Sequence, residues 1–283
     1  MMTLKIPWWG KIGAKIFLSR FPIGYAFWQR LGLFRHGRMD TSDYAIRVFN
    51  SHAERIEPAN LRGKTVLELG PGDSIATAII AAAHGACAIL VDAGTFVRSD
   101  ITPYLELSQI LTKQGLSSID LSDCQTVDDI LARCGARYMP DGLKSLAQIE
   151  SESVDLIFSQ AVLEHVRKKE FLETMQECRR ILKSNGICSY QVDLRDHLDS
   201  ALNNLRFSEQ VWESEFITKS GFYTNRIRYS QMLDLFDKAG FKVEVVGLQQ
   251  WDALPTPQRK LAKEFRGLPV KELCVFVFDV VLR

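Results

Sequence analysis

Short runs of apolar residues alternate along the chain with longer amphipathic stretches, a pattern typical of strands that alternate with helices. The predicted strands are residues 65–67, 87–91, 136–139, 154–158, 187–192, 241–248 and 273–282. The run at 87–91 is apolar throughout, as expected for a parallel strand that is buried on both faces. Alternating strands and helices imply a mostly parallel sheet, so we predict an α/β fold.

Apolar residues spaced three or four positions apart predict helices between these strands. The predicted helices begin at residue 73, at 102, near 126, after 164 and at 230. The first is expected to end at Gly85, because glycine commonly ends a helix. The helix after residue 164 is expected to end around Asn185 and Gly186, and Ser230 is expected to cap the last helix.

The segment 65–74 reads T-V-L-E-L-G-P-G-D-S and joins the first strand to a helix start. Gly70 and Gly72 allow unusual backbone angles and let a ligand reach the main chain, although any tight turn of this kind prefers glycine. The third glycine of a dinucleotide fingerprint is missing, and Glu68 and Asp73 would repel a pyrophosphate. A cationic cofactor with one carboxylate, such as S-adenosylmethionine, suits this corner better, because the open N–H groups of the helix start favour the carboxylate.

This corner resembles the first motif, E-x-G-x-G, of the class I S-adenosylmethionine-dependent methyltransferases, and the resemblance covers roughly residues 60–250. It implies an enzyme with S-adenosylmethionine as cofactor and a Rossmann-like methyltransferase fold. The sheet is then expected to have seven strands in the order 3-2-1-4-5-7-6, with the last strand antiparallel. The acid that the family often has after the third strand, near the adenine, has no obvious counterpart, since Leu143 or Ser145 lies in that region.

Asp92 lies twenty residues past Gly72, at the tip of the second predicted strand. A carboxylate there can accept two hydrogen bonds from a ribose diol. The same spacing occurs in NAD-binding proteins, and an Asp before Ala93-Gly94 is also a common turn former. The cofactor-binding residues implied by the resemblance are Glu68, Gly70, Gly72, Asp73, Ser74, Asp92, Gly142, Leu143, Ser159 and Gln160.

The segment S-Q-A-V-L-E-H follows the fourth predicted strand, at the sheet edge where ligands of open α/β proteins bind. Some methyltransferases hold a divalent ion with a Glu-x-x-Glu-His group, but here Ala161 occupies the first position of that group. One carboxylate and one imidazole make a poor site for a hard cation. We therefore expect no metal ion, and a structural or pocket-lining role for Glu164 and His165.

Candidate acid–base residues follow the fifth predicted strand, where residues 192–197 read V-D-L-R-D-H. A sulfonium methyl is already activated, so the protein must align the acceptor and, for a hydroxyl, remove a proton. We predict His197 as the base, helped by Asp193 or Asp196, because histidine titrates near neutrality and a carboxylate steadies the imidazolium. Alternatively the two Asp residues cap the next helix, and His197 is only a surface neighbour.

The stretch after the fifth strand also resembles bacterial methyltransferases that accompany polysaccharide assembly. This resemblance implies O-methylation of a glycan or other small-molecule hydroxyl. The alternative hypotheses are N- or C-methylation of a lipid or quinone-like acceptor at the membrane surface, an NAD-dependent sugar-modifying enzyme, and a non-catalytic cofactor-binding scaffold.

Residues 1–39 hold seven Lys or Arg and no acid, mixed with aromatic residues. Such a segment either forms an interfacial helix on an anionic membrane or a helical arm that packs on the catalytic domain and caps its pocket. Its proline and glycine residues favour the second interpretation. We predict an arm over 1–58 and a methyltransferase domain over 59–283, with an acceptor-side insert at about 195–228.

Composition is that of an ordinary globular protein, with 283 residues, 24% charged residues and a net charge of +1. The near-zero charge argues against a general nucleic-acid binder. Six cysteines without a C-x-x-C motif indicate reduced, intracellular thiols, and no apolar run approaches the ~20 residues of a membrane span. We expect a cytoplasmic enzyme, with peripheral contact of residues 1–39 with the inner membrane face as an alternative.

Overall fold

The computed structural model describes residues 8–10, 12–13, 39, 41–56 and 60–283. These residues form seven strands: β1 (Thr65–Leu69), β2 (Cys87–Val91), β3 (Arg137–Met139), β4 (Val154–Gln160), β5 (Leu182–Asp193), β6 (Val243–Gln250) and β7 (Val275–Leu282). The strands form one sheet in the order β3-β2-β1-β4-β5-β7-β6, and β7 runs antiparallel to both of its neighbours. The predicted strand order and the single antiparallel strand are therefore confirmed.

Eleven α-helices lie in the described part of the chain: α1 (Ser42–Ala53), α2 (Ala76–Ala83), α3 (Thr102–Lys113), α4 (Val127–Arg133), α5 (Leu143–Ala147), α6 (Phe171–Ile181), α7 (Glu209–Trp212), α8 (Glu215–Thr218), α9 (Tyr229–Lys238), α10 (Lys263–Arg266) and α11 (Val270–Cys274). The sequence sets some boundaries directly. Thr126 and Asp129 form a reciprocal capping box at the start of α4, and a proline lies in the first turn of α3.

Two predicted helix starts were wrong. Helix α2 begins at Ala76 rather than at residue 73, because Asp73 pairs with Arg98 and the Ser74 hydroxyl donates to the Met39 carbonyl, which keeps both residues in the loop. Helix α9 begins one residue before Ser230. The Ser230 N–H donates to a carboxylate oxygen of Glu272, so this residue lies inside the first turn and is not the cap.

One predicted helix end was also wrong. Helix α6 ends at Ile181, and the chain enters β5 directly at Leu182, which pairs with Val154 of β4. Leu182 is buried as a strand residue. Asn185 and Gly186 therefore lie inside β5 instead of ending the helix.

Helices cover both faces of the sheet. Alternate residues of β1 point to opposite sides, so Val66 belongs to one core layer and Leu67 to the other. Helices α1 to α4 pack in the first layer, and α5, α6 and α9 pack in the second. The carboxyl ends of the parallel strands β1, β2, β3, β4 and β5 consequently meet at one edge of the sheet, which is where α/β proteins bind ligands.

Most of the predicted N-terminal arm (residues 1–7, 11, 14–38, 40 and 57–58) lies outside the described residues. Trp8 is described, and its ring lies edge-on to Phe207 at a centroid distance of 6.2 Å. The Arg206 guanidinium lies 5.1 Å from the centroid of the same ring. In the part of the chain that is described, no helix combines the length and the apolar character needed to cross a bilayer.

Candidate active site

The turn between β1 and α2 needs glycine at two positions. Gly70 has a φ of +70° and Gly72 a φ of +68°, a region that other residues enter only with strain. The Gly70 N–H donates to the Val91 carbonyl at 2.8 Å, which ties the turn to the end of β2. A Cβ on Gly70 would lie 2.5 Å from Cγ1 of Val162, in the loop after β4. Three strand ends are thus held close together at this turn.

Asp92 organises the second strand end. Its Oδ2 accepts the Gly72 N–H at 2.8 Å, and its Oδ1 accepts the Ala93 N–H at 2.7 Å. Its carbonyl accepts the N–H of Gly142, which has a φ of +54° and precedes Leu143, the first residue of α5. Burial raises the pKa of Asp92 to about 6, and the two N–H bonds pull it down.

Glu68 is the buried acid of the corner. Its side chain is almost fully enclosed, and burial raises its pKa to about 8. The Thr77 hydroxyl lowers this pKa, whereas the charge of Asp92 raises it. At neutral pH the free protein therefore holds a proton on Glu68, and a cation placed beside this residue would expel that proton.

Asp73 and Ser74 shape the loop itself. The buried Asp73 carboxylate lies 2.6 Å from an Arg98 guanidinium nitrogen, so its charge is already balanced by an arginine that sequence reasoning missed. The Ser74 hydroxyl oxygen accepts the N–H of Ala76, the first residue of α2, and donates to the Met39 carbonyl. Both residues lie in the predicted segment, but their described contacts are with the protein.

Ser159 and Gln160 end β4 in different surroundings. Ser159 is fully buried, whereas Gln160 is half-buried. The Gln160 carbonyl oxygen lies 3.2 Å from Nε2 of His52 on α1, and its amide nitrogen donates to Gln191 on β5. Because an amide oxygen only accepts, the His52 proton is on Nε2.

The contacts of Gln160 close into a ring of hydrogen bonds. Nδ1 of His52 lies 2.6 Å from the Ser189 hydroxyl, which also accepts from Arg55 at 2.9 Å. The Arg55 guanidinium also pairs with the Asp279 carboxylate at 3.1 Å. The same carboxylate accepts the side-chain amide N–H of Gln191 at 3.3 Å. Burial lowers the pKa of His52 to about 4, so the ring contains a neutral imidazole. The sequence carried no local signal of this ring, because its members come from α1, the residues just after α1, β4, β5 and β7.

The predicted acid–base group is arranged differently from the expectation. Asp193 binds the Arg195 guanidinium through both carboxylate oxygens, with distances of 2.9 and 2.7 Å. The buried Asp196 carboxylate accepts three main-chain N–H groups, those of Leu198, Asp199 and Asn203. The alternative interpretation had both Asp residues capping the next helix. Only the Asp196 contact with Asn203, the first residue of the helical turn Asn203–Arg206, is of that kind.

The described neighbour of the His197 imidazole is a second imidazole. Nε2 of the exposed His197 lies 3.1 Å from Nε2 of His165, and the two rings stack with centroids 4.8 Å apart. Nδ1 of His165 lies 2.8 Å from the Tyr223 carbonyl, which only accepts, so His165 carries its proton on Nδ1. A cleft of about 290 Å³ adjoins the pair and is lined by Asp193, Arg195, Asp196, His197, Leu198 and Ser200.

Asp141 was missed as a candidate. It is exposed and lies two residues past the end of β3, directly before Gly142. Its N–H donates to the Ser145 hydroxyl at 2.9 Å. An acid is therefore present after the third strand, two residues before Leu143 and four before Ser145, the positions named in the sequence analysis.

A family model described as a methyltransferase domain matches residues 43–246, which is more than half of the chain. The chain belongs to this methyltransferase family. It is an enzyme, and its cofactor is S-adenosylmethionine. No curated protein sequence matches it at a significant level.

Several solved methyltransferase structures are similar to this methyltransferase. An S-adenosylmethionine-dependent methyltransferase from Archaeoglobus fulgidus is 10% identical with a TM-score of 0.46, over 83% of this chain and 93% of that one. A phosphoethanolamine N-methyltransferase from Haemonchus contortus is 16% identical with a TM-score of 0.45, over 82% of this chain and 51% of that one. An S-adenosylmethionine-dependent methyltransferase from Mesorhizobium loti is 16% identical with a TM-score of 0.44, over 79% of this chain and 92% of that one. At these identities the similarity concerns the fold alone.

Proposed function

We propose that this methyltransferase O-methylates a hydroxyl of a glycan or another small molecule. This proposal is supported mainly by the exposed His165–His197 imidazole pair beside the cleft after β5. A hydroxyl must lose its proton as it accepts a methyl group, and imidazoles remove protons efficiently at neutral pH. His165 is proposed to support His197 in place of Asp193 or Asp196, because the Nε2 lone pair of His165 faces His197.

The corner residues fit the cofactor. S-adenosylmethionine supplies a methyl group on a positively charged sulfur. We propose that the buried Glu68 favours this cationic ligand, and that the uncovered main chain at Gly70 and Gly72 receives its methionine part. The carboxylate of Asp92 is proposed to bind the ribose diol, and Asp141 is proposed to lie on the adenine side.

Binding of S-adenosylmethionine at pH 7 should release about one proton, since Glu68 has a pKa of about 8 in the free protein and a nearby cation lowers it. Calorimetry in two buffers of different ionisation enthalpy measures this number. The Glu68→Gln variant, which has no carboxyl to titrate, should release almost none. Equal proton release by both proteins would contradict the role of Glu68.

The contact of Trp8 with Arg206 and Phe207 supports an arm over residues 1–58 that covers the predicted acceptor-side insert at about 195–228. The remaining domain is proposed to span 59–283, although α1 already packs in the first core layer. A cytoplasmic location and a membrane contact of residues 1–39 stay predictions.

The proposed reaction is tested by incubating the enzyme with isotopically labelled S-adenosylmethionine and a cell extract, followed by mass spectrometry of the products. The label should appear as a methyl ether on a glycan or small molecule. The His197→Ala variant should lower kcat about 100-fold, the effect of losing an acid–base group, without changing the cofactor Kd. A label on nitrogen or carbon, or an unchanged kcat, would refute O-methylation through this pair.

A further inference from the structure

Three side chains with metal-ligating atoms converge beside the cleft. Glu164 and His165 belong to the helical turn after β4, and His197 belongs to the loop after β5. One ligating atom from each lies within 4.8 Å of the other two. The expectation of no metal ion counted only Glu164 and His165 as ligands. His197 was not counted with them, because it is 32 positions from His165 in the chain.

The two imidazoles have a spacing that suits a shared ion. Their Nε2 atoms are 3.1 Å apart, and two nitrogens bound at 2.0–2.1 Å to a tetrahedral ion are about 3.3 Å apart. The Tyr223 carbonyl accepts from Nδ1 of His165 at 2.8 Å, so Nε2 is the atom of this imidazole that would ligate an ion. A carbonyl behind the outer nitrogen is the usual support of a metal-bound histidine.

Glu164 supplies an independent observation. Its side chain is 1% exposed, and neither carboxylate oxygen has a partner that meets the geometry of a full hydrogen bond among the described residues. The main-chain N–H groups of Glu164 and Asp193 are close enough to lower the pKa of this carboxyl. A buried carboxylate without full hydrogen bonds is costly. A cation at this point would offset that cost.

We propose that Glu164, His165 and His197 bind one divalent transition-metal ion of the zinc type. Two imidazoles and one carboxylate form a ligand set of open zinc sites, whereas Mg²⁺ and Ca²⁺ prefer oxygen ligands. This inference rests on the proposed function, since an ion beside the cleft would make a bound hydroxyl more acidic. With an ion bound, the two Nε2 atoms would be ligands, so the hydroxyl proton would pass to water rather than to the imidazole pair, while the new O–C bond formed and the S–C bond of the cofactor broke.

The test uses the full chain after dialysis against a chelator. Titration with Zn²⁺ should give one ion per chain by calorimetry and elemental analysis, and Co²⁺ should give visible absorption bands. The Glu164→Gln and His197→Ala variants should each bind Zn²⁺ about 100-fold more weakly. His84→Ala, which removes an imidazole that stacks on Phe49, is the matched control and should bind like the wild type.

Absence of a bound ion in the wild type, or wild-type affinity in both variants, would overturn the proposal. His197 is exposed, so its variant keeps the test decisive if Glu164→Gln fails to fold. Cofactor binding is measured on the same samples. A wild-type protein that binds S-adenosylmethionine normally but binds no Zn²⁺ overturns the metal site alone, whereas a methyl label found on nitrogen or carbon overturns the proposed reaction.

Discussion

Replacing Gly70 by alanine should raise the Kd for S-adenosylmethionine by about 1,000-fold or more, which is at least about 4 kcal/mol. Two effects combine. The φ of +70° strains any residue with a Cβ, and that Cβ would lie 2.5 Å from Cγ1 of Val162. The turn must move to relieve the contact, and its main-chain N–H groups move with it. Calorimetric titration measures the affinity, and thermal unfolding shows whether the fold survives.

The chain offers a matched control for this substitution. Gly63 has a φ of +73°, but a Cβ there has no atom within 4 Å. Gly63→Ala therefore carries the same backbone strain without the collision and should keep the wild-type affinity. The double variant Gly70→Ala with Val162→Ala should recover part of the binding. Equal affinities of Gly70→Ala and the wild type would mean that the turn does not hold the cofactor.

The meeting of the proposed cofactor-binding residues Gly72 and Asp92 could be predicted because its signals are local in sequence. Gly70, Gly72 and Asp92 follow two consecutive strands, and the apolar run at 87–91 marks the second of these strands. Parallel strands place their carboxyl ends at one edge, so the sequence order alone brings these residues together. The hydrogen bond from Gly72 to Asp92 is the result.

The acceptor side could not be predicted in the same way. His165 and His197 meet only because β4 and β5 are neighbours in the sheet, and 32 positions separate them along the chain. The sequence favoured Asp193 or Asp196 as the partner of His197, because both are close to it in the chain. In the structure, the Asp196 carboxylate instead accepts three nearby main-chain N–H groups. Arg98 was missed for a similar reason, since nothing in its own segment indicates a buried acid opposite it.

This difference has a consequence for the two halves of the site. The cofactor half depends on backbone angles and strand ends, so single substitutions there should abolish binding. The acceptor half depends on side chains that meet across the sheet, so substitutions there should change the rate while cofactor binding persists. Affinity and kcat can therefore be altered separately in this enzyme.

The Asp92→Ala variant should bind S-adenosylmethionine about 1,000-fold more weakly, because two charge-assisted hydrogen bonds to the ribose are each worth about 1.5–3 kcal/mol. The variant also loses the acceptor of the Gly72 N–H. Calorimetric titration measures the loss. Binding within tenfold of the wild type would exclude Asp92 as the ribose ligand.

The pH dependence of S-adenosylmethionine affinity tests whether the charge of the Asp92 carboxylate, and not only the presence of its side chain, is needed for binding. Burial raises the pKa of Asp92 to about 6, so the carboxylate is lost as the pH falls through this value. The experiment is best done in the Glu68→Gln background, which removes the second titrating acid of the corner. The affinity should then fall about tenfold per pH unit below pH 6, because only the ionised form accepts both ribose hydrogen bonds. Adding Asp92→Ala should make the affinity independent of pH in this range, and a slope that persists would assign the titration to another group.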